Sequence, residues 1–85
     1  MIDATILAQA ETPQVADAAR DRLDAILTEH GLAIRTIVRT TGPYDVLAHV
    51  AGAPDTIARA SVDAQQTDEI ARTLTLPHAT PGGDR

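Results

Sequence analysis

Residues 32–51, LAIRTIVRTTGPYDVLAHVA, decide the fold. Leu32 to Thr40 and Tyr44 to Ala51 are two runs rich in β-branched and aliphatic residues, and Thr41-Gly42-Pro43 between them is a short breaker segment. Such runs on either side of a tight turn read as an antiparallel hairpin. Alternation puts Tyr44, Val46, Ala48 and Val50 on one face of the second run and Asp45, Leu47, His49 and Ala51 on the other. In the first run the same rule separates Ile34 and Val38 from Ile37.

Upstream, Asp3 to Gln9 (DATILAQ) predicts another strand, with Ala4, Ile6 and Ala8 on one face and Thr5, Leu7 and Gln9 on the other. Thr12-Pro13 then predicts a helix start, with Thr as cap and Pro at the first helical position, where its missing N–H costs nothing. Val15, Ala19, Leu23, Ile26 and Leu27 recur at helical spacing as far as His30, opposite Asp17, Arg20, Asp21 and Asp24. Gly31 suits the left-handed position that ends a helix, and His30 is expected as a solvated helix end. Downstream, Gly52-Ala53-Pro54-Asp55 opens a second helix, along which Ile57, Ala60, Ser61 and Ala64 form an apolar stripe. Ile70 to Leu76 returns to strand periodicity.

The resulting order, β-α-β-β-α-β, is the split pattern of a ferredoxin-like α+β fold, a four-stranded antiparallel sheet with two helices on one face. Residues 1–76 form this domain. Residues 77–85 (PHATPGGDR) are polar and rich in Pro and Gly, and are expected as a flexible tail. Two helices cover one face of a sheet, yet alternation turns Leu7, Ile37 and Leu47 to the other. The sheet of a second copy is the simplest cover.

Composition agrees with a need for a partner. The 85 residues contain no Phe, Trp or Cys, one Tyr and one Met, so the core must be aliphatic, with no disulfide to reinforce it. The formal net charge of −5, with no Lys, argues against direct nucleic-acid binding. Nothing in the sequence matches a signal peptide or membrane span, and a cytoplasmic protein without membrane partners is expected.

The run Thr41-Gly42-Pro43-Tyr44-Asp45-Val46-Leu47-Ala48, with Ile70-Ala71-Arg72-Thr73-Leu74-Thr75 later in the chain, resembles the ligand-binding (RAM) domain of the Lrp/AsnC feast-famine regulators. That family has a T-G-x-[YF]-D-hydrophobic signature after its second strand and a V-x-x-T-x-T pattern in its last. The likeness spans nearly the whole chain. The GYD-domain proteins, which share a G-x-Y-D turn and to which Ala53-Pro54-Asp55 is also similar, are a close second, and either resemblance implies a dimeric α+β barrel. The sequence departs from the Lrp/AsnC pattern at Glu69, where that family usually has Gly, and no helix-turn-helix domain precedes Met1.

The resemblance implies a stand-alone module for transcription regulation, without its own DNA-binding domain. It would bind a small effector, commonly an amino acid, between subunits of a homodimer or of a larger ring. Carried over by residue, it points to Gly42, Tyr44, Asp45, Thr73 and Thr75 as ligand-binding. Each has a plainer explanation. Gly42 serves a turn that needs positive φ, Tyr44 fills an aliphatic core, and Thr73 and Thr75 are ordinary strand residues. Asp45, if buried, needs a partner, and backbone N–H groups of the turn are the alternative to a ligand's ammonium.

Chemistry beyond binding has little to stand on. Asp45 and His49 share a strand face but lie about 13 Å apart, too far for direct acid–base coupling. His30, His49 and His78 lack metal-ligand spacing, and no catalytic residue, metal or cofactor is expected. Arg35, Arg39 and Arg72 could hold a carboxylate or form salt bridges. A small monooxygenase- or isomerase-like barrel enzyme and a structural or partner-docking oligomer are the alternatives to the binding module.

Overall fold

A computed structural model describes residues 1–78. The elements are β1 (Ile2–Ala10), a 3-10 turn (Pro13–Val15), α1 (Ala16–Glu29), β2 (Ala33–Arg39), β3 (Val46–Gly52), α2 (Pro54–Gln65) and β4 (Ile70–Pro77). The sheet has the order β2-β3-β1-β4 with every neighbouring pair antiparallel. This is the ferredoxin-like β-α-β-β-α-β architecture the pattern predicts. Strand β4 runs one residue beyond the expected domain end, and the N–H of His78 donates to the carbonyl of Asp3 at 2.9 Å. The remainder of the expected tail, residues 79–85, lies outside the described residues.

Local chemistry explains the helix ends. The Thr12 side chain makes no capping bond; instead the N–H of Val15 donates to its backbone carbonyl at 3.2 Å, closing the 3-10 turn that precedes α1. At the other end Gly31 has φ 75°. The N–H of Gly31 reaches the Thr28 carbonyl at 2.9 Å and that of Leu32 reaches Leu27 at 3.1 Å, the paired bonds of a Schellman motif. Pro54 opens α2 with its fixed φ and no lost hydrogen bond. His30 is not a free helix end: its Nε2 lies 2.6 Å from Asp63 Oδ2 on α2.

The helices lay Ala19, Leu23, Ile26 and Leu27 of α1 and Ile57, Ala60 and Ala64 of α2 on one sheet face. There they meet Ala4, Ile6 and Ala8 of β1 and Val46, Ala48 and Val50 of β3. Each fully buried Leu, Ile or Val contributes roughly 1.5–3 kcal/mol, so this single layer carries the hydrophobic stability of one copy.

Both edge strands carry an irregularity that corrects the simple alternation. Between the pairs Ile34↔Val50 and Thr36↔His49 the register shifts, leaving Arg35 as the extra residue of β2. Ile37 then pairs with buried Ala48 and turns to the helices, while Val38 pairs with Leu47 and turns away. The expectation that Ile37 lies on the uncovered face is therefore wrong, and Val38 takes its place. In β4, Ala71 is likewise extra between Gln9↔Arg72 and Ala10↔Ile70. Bulges at sheet edges re-aim side chains in this way.

The face away from the helices is ordered in rows across the strands. One row is Val38, Leu47, Leu7 and Leu74; Val38 and Leu74 are about two-fifths exposed, at 42% and 41%. On one side of it lie Thr36, His49, Thr5 and Leu76, and on the other Gln9 pairs with Arg72. Among the described residues no helix is long and apolar enough to cross a membrane.

Candidate functional site

The β2–β3 hairpin is pinned by two bonds. The N–H of Thr40 donates to the Asp45 carbonyl and its hydroxyl to the Tyr44 carbonyl, both at 2.8 Å. Gly42 within the turn has φ 102°, and a methyl group placed there would meet nothing. Its need for glycine is thus one of backbone conformation.

Asp45 sits where β3 leaves the regular ladder. Its N–H donates to the Ala8 carbonyl at 2.9 Å, and its carboxylate Oδ2 accepts the N–H of Ala10 at 2.8 Å. A side-chain oxygen thereby replaces the backbone acceptor that β3 would have supplied had it continued. The donor belongs to β1, not to the turn. Oδ1 has no hydrogen-bond partner among the described residues. Tyr44 is half-buried at the end of the sheet, outside the aliphatic core, with the Arg72 guanidinium carbon 5.6 Å from its ring centroid. Such a contact is a cation–π interaction of about 0.5–1 kcal/mol at an exposed site.

Thr73 and Thr75 lie elsewhere. The extra residue at Ala71 turns both toward α2, where Thr75 Oγ1 is 2.5 Å from Ser61 Oγ. Together with Ile2, Pro54, Ile57, Gln65 and Pro77 they line a groove of about 400 Å³ between α2 and the edge strand β4. The groove has no charged lining residue. The structure thus joins Gly42, Tyr44 and Asp45 at the hairpin end of the sheet, and places Thr73 and Thr75 under α2. Ser61 was legible as part of the helix stripe, but nothing in the sequence marks it as a neighbour of Thr75.

Arg35, Arg39 and Arg72 separate as well. Arg35 pairs with Asp3 at 3.3 Å and Arg39 with Asp17, whereas Arg72 has no carboxylate partner among the described residues. Asp45 and His49 stand on either side of Leu47 in the open face, so no direct acid–base pair forms. His49 and His78 do meet, ring centroids 5.4 Å apart and edge to face, with Thr5 Oγ1 2.8 Å from His78 Nε2. Among the described residues no group of three His, Cys, Asp or Glu side chains is placed to hold a metal ion.

The fold has close counterparts among solved structures. The crystal structure of FFRP-DM1 superposes with a TM-score of 0.71 at 17% identity, covering 93% of this chain and 100% of that one. A hypothetical protein, PHS023 from Pyrococcus horikoshii, gives 0.72 at 16%, covering 99% and 96%. MtbAldR gives 0.61 at 12%, and this chain spans only 54% of its length. Lrp/AsnC-like proteins therefore share this fold. At such identities the likeness is one of fold alone. No protein-family model matches the sequence, and no curated protein matches it.

Proposed function

We propose that this chain is a regulatory module that binds a small metabolite, with a free amino acid as the expected ligand, and that it acts as a homo-oligomer. The observation that carries this reading is the division of the candidate site between the hairpin end of the sheet and the groove beneath α2. Tyr44 and Asp45 stand at the hairpin end, and Thr73 and Thr75 line the groove. A single small ligand can meet both halves only where two copies adjoin.

The open face supplies a reason for copies to adjoin. Val38, Leu47, Leu7 and Leu74 form an apolar row across all four strands, and Leu76 beside it is also exposed. Contiguous apolar surface of this kind on a small domain marks an association site. The fold shared with Lrp/AsnC-like proteins supports the same assignment.

The test is the thermal unfolding midpoint of the purified protein against the amino acids and related small acids, with mass measured by light scattering. A ligand that binds only the native state raises the midpoint. The reading expects an oligomer and a rise with one or a few amino acids. A monomer, or an oligomer indifferent to the whole panel, refutes it.

A further inference from the structure

Two of the three histidines meet on the open face. His49 of β3 pairs with Thr5 of β1, in the row beside the apolar one. His78 enters the same patch from the end of β4. Its N–H donates to the Asp3 carbonyl at 2.9 Å, which continues the β1–β4 ladder one residue past the pair Ala4↔Pro77 and ties its backbone down. Strand β1 lies between the two residues, yet the rings reach across it, with centroids 5.4 Å apart and planes at 85°. Sequence spacing hides this contact, because only the order β3-β1-β4 in the sheet brings the two strand ends together.

The ring nitrogens are largely uncommitted. A neutral imidazole has one donor nitrogen and one acceptor nitrogen. His78 Nε2 is 2.8 Å from Thr5 Oγ1, and when Nε2 gives its proton to that hydroxyl the lone pair of the ring lies on Nδ1. His49 is half-buried and has no hydrogen-bond partner for either ring nitrogen among the described residues. Edge-to-face packing accounts for the contact between the rings but employs no lone pair. Asp3, opposite His78 in the ladder, pairs with Arg35 at 3.3 Å, so the charge of that arginine is balanced within the patch.

We infer that His49 and His78 together bind a divalent transition-metal ion of the zinc class. Imidazole nitrogen suits zinc, copper and nickel, whereas magnesium and calcium take oxygen ligands. Two imidazoles that share a tetrahedral ion, each bond about 2.0–2.1 Å long, hold their ring centres roughly 5 Å apart, and the observed 5.4 Å is close to that. The hydroxyl of Thr5 against the His78 ring resembles the outer hydrogen-bond partner that orients a metal-bound histidine. Two side chains fill half of a tetrahedral shell. The other positions fall to water or to the same two residues of a second copy seated on this face. The site does not depend on amino-acid binding and stands or falls separately from it.

The experiment titrates the untagged protein with zinc chloride by calorimetry, with magnesium chloride as the control, while the ring C–H resonances of the three histidines are followed by NMR. The expected result is saturable binding of zinc and none of magnesium. The His49 and His78 resonances should shift or broaden over the same zinc range, and those of His30, bonded to Asp63 on the helix layer, should not. His49→Gln and His78→Gln should each weaken zinc binding by about tenfold or more. His78 is exposed and His49 only half-buried, so both variants fold, and their unfolding midpoints without zinc verify this. One ion per chain means that water completes the shell, and one ion per two chains means that the second copy does; either supports the site. No saturable zinc binding, equal binding of magnesium, or zinc binding undiminished when both histidines are replaced overturns it.

Discussion

Replacing Asp45 with Ala removes the acceptor of the Ala10 N–H, a 2.8 Å bond that holds the end of β1 to the start of β3. Ala10 is 7% exposed, so its N–H is left with little access to water. Orphaning a buried donor costs about 1–3 kcal/mol, but Asp45 is only part-buried and its charge is partly screened. We expect a loss of about 1–2 kcal/mol. For a domain of this size that corresponds to a fall in midpoint of roughly 5–15 °C. Asp45→Asn keeps an oxygen in the same place, and we expect it to lose less than about 0.5 kcal/mol. The assay is urea unfolding followed by circular dichroism at one fixed protein concentration, because self-association ties the transition to concentration. The reasoning is refuted if Asn costs as much as Ala, which makes charge the decisive property, or if Ala costs nothing. The pair of variants also separates two meanings of lost binding. Ala weakens the fold as well as the site, whereas Asn removes the charge and leaves the strand pairing.

Three further outcomes are expected. Leu47→Asp places a charge in the middle of the apolar row and should reduce the mass in light scattering to that of a single chain, with the circular dichroism spectrum retained; an unchanged mass means that another surface joins the copies. In that monomeric background Ile37→Ala should cost about 1–2 kcal/mol more than Val38→Ala, since only Ile37 packs on the core; equal losses in urea unfolding would falsify the shift at Arg35. Ser61→Ala and Thr75→Val should each cost about 0.5–1.5 kcal/mol, and the double variant less than their sum, because the two hydroxyls partner each other at 2.5 Å; strict additivity in a double-mutant cycle removes that bond from the account.

The central strands were legible because nothing interrupts their alternation. Ala4, Ile6 and Ala8 in β1 and Val46, Ala48 and Val50 in β3 all face the helices as period two requires, and Leu7 and Leu47 face away. The helix stripes were equally plain, since Ile57, Ala60, Ser61 and Ala64 are the buried residues of α2. The edge strands were not, because each gains a residue at a position without a sequence marker. Arg35 and Ala71 are neither Gly nor Pro, and their extra place is set by pairing with β3 and β1. That is why Ile37 exchanged faces with Val38. It is also why the shared face of Thr73 and Thr75 could be read while its position under α2 could not. The arginines illustrate a similar limit: their sequence spacing does not reveal that Arg35 and Arg39 meet carboxylates from β1 and α1 while Arg72 meets an aromatic ring.

The aliphatic core has one further consequence. With no Trp or Phe and a single Tyr, the near-ultraviolet absorbance and intrinsic fluorescence of this protein arise from one side chain, and that side chain lies against Arg72 at the hairpin end of the sheet. The rest of the molecule is optically silent in that range. Any event that moves the guanidinium off the ring or brings a second copy over it changes the only chromophore present, so the native chain reports on its own candidate site without a label.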